Sequence, residues 1–193
     1  GSTYNSTYED NYYQYRTLKD KVKELSLGID IYLGNELFIH EKLGELLDNY
    51  VVSSLNDTGY ILVEFPFHNK ILNLENIFDT IQSHGYRIII AHPERYDFFQ
   101  ENYALVDDLR KNGFLFQSNY SSIIGGYGKE SEKLIKYMLK KHYIDFLATD
   151  IHRIDNTSVI DNFSKIEKKI MKEIGESYYQ RIKENSDKLT RHR

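Results

Sequence analysis

Short apolar, β-rich runs recur along this chain at intervals filled by helical patterns, and that alternation constrains its fold more than any other feature. The runs are Ile29–Leu33, Tyr60–Glu64, Arg87–His92, Phe114–Ser118 and Asp145–Asp150. Each has the length and composition of a buried strand. Around them, apolar spacing predicts helices over about Tyr8–Leu25, Leu72–Ser83, Tyr103–Lys111, Lys129–Lys141, Asn156–Ile174 and Glu176–Lys188. Gly85 and Gly113 follow two of these segments, where the left-handed residue after a helix favours glycine. Repeated strand–helix alternation implies right-handed crossovers and a parallel sheet, either closed as a barrel or open and doubly wound. Polar residues recur at successive strand ends rather than at one switch point, which favours the barrel within the α/β class.

A length of 193 residues fits one domain over 1–193, burying roughly 70 per cent of its unfolded surface by size scaling. Gly1-Ser2 has the form of a remnant left by a cleaved tag. The formal net charge of −4 offers no field for a nucleic-acid backbone, and the lysines from Lys165 to Lys172 alternate with Glu and Ile as a solvated helix face. There are no cysteines, so a disulfide framework and a zinc-thiolate site are both excluded, and a cytoplasmic location is expected. No apolar run approaches the roughly 20 residues of a membrane span. Tyr4, Tyr8, Tyr12, Tyr13 and Tyr15 recur near helical spacing and are expected to pack in a core or interface.

Acidic and histidine residues stand where apolar runs stop: Glu36, Glu64, His92, and Asp150 with His152. Parallel strands carry their chemistry at their carboxyl ends, where loops converge and residues distant in sequence can meet. Taken singly, a glutamate after a strand is ordinarily a surface or capping residue. The signal lies in joint occurrence on four strand ends. Asp150 and His152 are two apart, so on an extended segment both would point the same way. An O/N donor set suits Mn, Fe or Zn, and Glu36 could bridge two ions. Arg95, three residues after His92, could offer a planar guanidinium to a phosphate. His40, His68, His84, His142 and His192 stand in polar or helix-end contexts and are read as structural or solvated.

The blocks Gly34-Asn35-Glu36, Tyr60-Ile61-Leu62-Val63-Glu64-Phe65-Pro66, Ala91-His92-Pro93-Glu94-Arg95-Tyr96 and Thr149-Asp150-Ile151-His152, in this order, resemble the CpsB/CapC family. These are bacterial manganese-dependent protein-tyrosine phosphatases of capsule and exopolysaccharide systems on the PHP (polymerase and histidinol phosphatase) fold. The resemblance implies a distorted (β/α)7 barrel holding Mn2+, with Fe or Zn as alternatives. It assigns Glu36 as bridging carboxylate, Glu64 and His92 as further ligands of one ion, Asp150 as ligand of a second and His152 of a third. Arg95 becomes the phosphate-binding arginine. The implied substrate is phosphotyrosine on a bacterial tyrosine autokinase.

The family's His-x-His strand and Asp-rich loop have no counterpart here, so the barrel is expected to lack its first βα unit and to hold fewer ions. Gly1-Ser2 favours a shortened form of a longer product. Edges left open by such a loss invite pairing with another chain, so a homo-oligomer is expected. Two alternatives remain: a PHP-type phosphatase of a small phosphomonoester such as histidinol phosphate, and a catalytically impaired binding module.

Overall fold

A computed structural model describes residues 8–40, 43, 47, 52–68, 74–153 and 158–191. Its helices are α1 (Tyr8–Glu24), α2 (Leu74–Ser83), α3 (Asp97–Glu101), α4 (Tyr103–Lys111), α5 (Tyr120–Ile123), α6 (Lys129–Lys140), α7 (Ser158–Ile174) and α8 (Glu176–Thr190). The strands are β1 (Glu36–Phe38), β2 (Tyr60–Glu64), β3 (Arg87–Ala91), β4 (Leu115–Asn119) and β5 (Phe146–Ala148). They lie in the order β1-β2-β3-β4-β5, with parallel pairing at β1–β2, β3–β4 and β4–β5. Two compact units divide the chain, one drawn from residues 1–65 and 71–88, the other from 66–70 and 89–191.

In the first unit β1 pairs with β2 in the register Glu36↔Leu62, Leu37↔Val63, Phe38↔Glu64. Side chains alternate along a strand, and here the alternation is sharp. Leu37, Ile61 and Val63 are buried in the core, while Glu36, Leu62 and Glu64 lie on the less buried face. Arg87, the first residue of β3, donates its backbone N–H to Gly59 O at 2.8 Å. Its guanidinium stacks on Tyr60 at 3.7 Å.

The run Ile29–Leu33 is not a strand, which corrects the expectation from its composition. Ile29 is 57% and Tyr32 39% exposed, so the run finds no sheet face to cover and β1 begins three residues later. Glu36 therefore opens a strand rather than following one. Gly34 fits close packing there: a Cβ would meet Leu55 Cδ2 at 2.5 Å and Leu55 Cα at 3.1 Å. Asn35 then clips to Ser53 twice, its N–H donating to Ser53 O at 3.0 Å and its Oδ1 accepting from Ser53 N at 2.9 Å.

For the tyrosines of α1 the expectation of core packing is not met. Val22 is the buried residue of that helix, and Tyr13 is 68% exposed. Tyr8 stacks on Tyr12 at 5.8 Å along the surface, satisfying aromatic contact without a core; Tyr4 falls outside the described residues.

In the second unit β3, β4 and β5 pair through Ile89↔Leu115 to Ala91↔Gln117 and Gln117↔Phe146 to Asn119↔Ala148. Helix α6 buries Leu134, Ile135, Met138 and Leu139, two adjacent pairs four apart, which is the stripe a sheet-covering helix needs. Helices α7 and α8 bury Val159, Ile166, Ile170, Tyr178, Tyr179 and Ile182. Just before β5, Asp145 receives two N–H bonds from Arg110, at 2.7 and 3.2 Å, and one from Phe116 N at 3.0 Å. Burial pushes the Asp145 carboxyl up from its ordinary range, outweighing the pull of Arg110. Tyr178 Oη donates to Ile144 O at 2.8 Å, fixing α8 at the same end.

Candidate active site

Glu36 and Glu64 come together inside the first unit. In register, Glu36 stands opposite Leu62, two residues behind Glu64. Paired residues of parallel strands face alike and alternation has period two, so the two glutamates share one face. Each offers a carboxylate oxygen, and these lie within 4.8 Å of one another.

The second unit holds the rest. His92 follows β3 with a left-handed backbone, φ 30° and ψ 57°, an uncommon conformation for a residue other than glycine. Pro93 fixes the next turn, a single 3-10 turn Pro93–Arg95, packed by α3, β4 and α6. His92 is buried and stacks on Phe67 at 5.8 Å and against Tyr96 at 5.5 Å.

Glu94, fully buried, ties this turn to the end of β4: its Oε1 accepts from Asn119 N at 2.9 Å and from Ser122 Oγ at 2.6 Å. Arg95 thereby reaches Asp150, with Nη1 donating to Oδ2 at 3.0 Å. Asn119 Nδ2 donates to the same oxygen at 2.9 Å, and Asn119 Oδ1 is itself held by Gln117 Nε2 at 2.9 Å. The Arg95 guanidinium lies 4.5 Å from the Phe67 ring and 4.3 Å from that of Tyr127.

Asp150 also has a left-handed backbone, φ 53°, so the segment to His152 is not extended as expected. His152 folds back: its Nδ1 lies 3.0 Å from Asp150 O and 3.8 Å from Asp150 Oδ1, with the ring three-quarters exposed. Of the remaining histidines, His68 pairs with Asp97 at 2.8 Å and His142 stacks on Tyr178 at 4.1 Å; His192 falls outside the described residues.

Residues 1–191 match the family described as "Capsular polysaccharide synthesis, CpsB/CapC". The chain belongs to the CpsB/CapC family. It is 33% identical to CapC of Staphylococcus aureus over 72% of this chain and 54% of that protein. It is 32% identical to the tyrosine-protein phosphatase YwqE of Bacillus subtilis over 78% of this chain and 61% of that protein. Thus the CpsB/CapC chain spans between half and two thirds of the curated relatives it matches.

Its fold matches, with a TM-score of 0.82 and 27% identity, a chain from the crystal structures of YwqE from Bacillus subtilis and CpsB from Streptococcus pneumoniae, "unique metal-dependent tyrosine phosphatases". That match covers 93% of this chain and 72% of the other. Sequence reasoning did not single out Phe67, Glu94, Gln117, Asn119 or Tyr127, which the structure places around His92, Arg95 and Asp150. Phe67 stands three residues after Glu64 and Glu94 inside the His-Pro-Glu-Arg block, but nothing local marks Asn119 or Tyr127.

Proposed function

We propose that this chain is a single PHP-type phosphatase domain over residues 1–193, part of a distorted (β/α)7 barrel. On this reading it hydrolyses phosphotyrosine in a metal-dependent reaction. Its substrate is a bacterial tyrosine autokinase of capsule or exopolysaccharide synthesis, and its place is the cytoplasm. The observation that carries the reading is Arg95: an arginine fixed through one nitrogen by Asp150, in a chain whose family includes metal-dependent tyrosine phosphatases.

The donor set fits a metal. On this reading Glu36, Glu64 and His92 would be the residues that hold it, and two carboxylates with an imidazole suit Mn2+, with Fe or Zn as alternatives. Asp150 and His152 would serve further ions. A bound ion of this kind supplies Lewis-acid polarisation of a phosphoryl oxygen.

The chain's own residues do the rest. Arg95 takes the phosphoryl oxygens through the nitrogens that Asp150 leaves unused, a fork suited to two parallel hydrogen bonds. Asp150 and Asn119 keep that guanidinium aimed. Among the described residues the outer strands β1 and β5 each have a single sheet neighbour, which supports self-association at an edge.

The test combines Mn2+ calorimetry with hydrolysis of a phosphotyrosine peptide. Glu64→Gln should abolish tight Mn2+ binding, and Arg95→Ala should remove turnover while Mn2+ still binds. Mn2+ affinity unchanged in Glu64→Gln, or turnover unchanged in Arg95→Ala, would overturn the assignment.

A further inference from the structure

Arg95 has a feature that phosphate binding alone does not require. Its guanidinium carbon lies within 4.5 Å of two aromatic ring centres, Phe67 at 4.5 Å and Tyr127 at 4.3 Å. Among the described residues its hydrogen bond to Asp150 is made by Nη1, leaving Nη2 and Nε as the donors for an oxyanion. The two rings differ in their surroundings. Phe67 also packs on His92 and Tyr96, so it belongs partly to the core beneath the site. Tyr127 sits in the turn before Gly128 and is 37% exposed. A large aromatic side chain on a turn, half in water and stacked on a cation, contributes little to the core.

We propose that Tyr127, seconded by Phe67, makes the Arg95 site selective for aryl over alkyl phosphate esters. This rests on the reading of Arg95 as the phosphate anchor. A phosphate held on the free nitrogens at N···O distances of about 2.8 Å brings its ester oxygen into the neighbourhood of the same ring faces that cover the guanidinium. An aryl substituent then meets Tyr127 in the offset or edge geometry that aromatic pairs prefer, with centroids about 4.5–7 Å apart. An alkyl ester gains only nonspecific contact. Reach acts in the same direction: a phenol ring between phosphate and peptide keeps the peptide backbone outside the two rings, whereas the single methylene of a serine ester draws it between them.

Three probes and two variants test this by NMR titration of the chain: inorganic phosphate, ethyl phosphate and phenyl phosphate, with Tyr127→Leu and Arg95→Ala. Leucine keeps apolar bulk and removes the ring. In the unaltered chain phenyl phosphate should bind about threefold to tenfold more tightly than ethyl phosphate, the span of one aromatic pair. In Tyr127→Leu that ratio should fall towards one, phenyl phosphate losing more affinity than inorganic phosphate or ethyl phosphate. An unchanged ratio, or an equal weakening of all three probes, overturns the proposal while leaving Arg95 as anchor. Inorganic phosphate binding that survives Arg95→Ala intact overturns the anchor reading and the selectivity with it.

Discussion

Arg95 and Asp150, 55 positions apart, meet through one hydrogen-bonded ion pair of 3.0 Å at the ends of two non-adjacent strands, β3 and β5. Asn119, at the end of β4 between them, donates to the same Asp150 oxygen. Both charged side chains are about one-fifth exposed, so the pair is partly shielded from water. Asp150→Asn preserves shape but leaves the guanidinium without its counter-charge. A loss of about 1.5–3 kcal/mol is expected, as for hydrogen bonds to charged groups, read as a lower urea midpoint with unchanged slope. An unaltered midpoint would mean that Arg95 is positioned by the rings alone.

The two faces of β2 should separate stability from chemistry. Ile61 is fully buried, so Ile61→Ala should cost about 2–5 kcal/mol through lost burial and a cavity. Glu64 lies on the opposite face, and Glu64→Gln should leave the urea midpoint within about 0.5 kcal/mol while removing Mn2+ affinity. Destabilisation by Glu64→Gln as large as that of Ile61→Ala would refute the division of faces.

Gly34→Ala places a methyl group against the Leu55 side chain and backbone. Since backbone cannot swing aside as a side-chain tip can, the chain must shift where Asn35 clips to Ser53. Overpacking of this kind costs about 1–3 kcal/mol. Thermal unfolding would record it, and Mn2+ affinity should fall too because Glu36 is two residues on. Wild-type values for both would show that the close approach is not maintained in solution.

Glu167 on α7 accepts from Lys183 at 2.9 Å and Tyr179 Oη at 2.7 Å, both on α8. Lys183 first, then Tyr179, hold its carboxyl below the ordinary value of 4.5. A carboxyl whose pKa is lower folded than unfolded stabilises fully above the unfolded value, and that contribution disappears as pH falls through the folded one. Glu167→Gln should therefore cost up to about 1 kcal/mol at neutral pH, discounted for its exposure. Its Tm should also fall less steeply than that of the unaltered chain below pH 4.5. Parallel Tm curves for the two proteins would reject this role.

Much of the fold is written locally. The helix over Tyr103–Lys111 matches the predicted span and α6 differs by one residue at its end, because apolar stripes and a following glycine mark helices within one or two turns of sequence. The misread run Ile29–Leu33 shows the limit. Its composition suits a strand, but strand formation depends on a partner, and the residues opposite β2 turn out to be Glu36–Phe38. The site divides in the same way. Candidate ligands such as Glu64 and His92 stand out because an ionisable group at the end of an apolar run is conspicuous. Asn119 and Tyr127 acquire meaning from neighbours 25 or more residues away, Glu94 for Asn119 and Arg95 for Tyr127, and Gln117 acquires its own through Asn119.

The left-handed backbone at His92 and Asp150 changes how mutational data on these two positions should be read. Alanine at either inherits a φ of 30° or 53° that suits it poorly, so alanine scanning would mix the lost imidazole or carboxylate with a backbone penalty and overstate their chemical importance. Asparagine tolerates that region, and a matched pair of asparagine and alanine variants at each position would separate the chemical share of the loss from the conformational one.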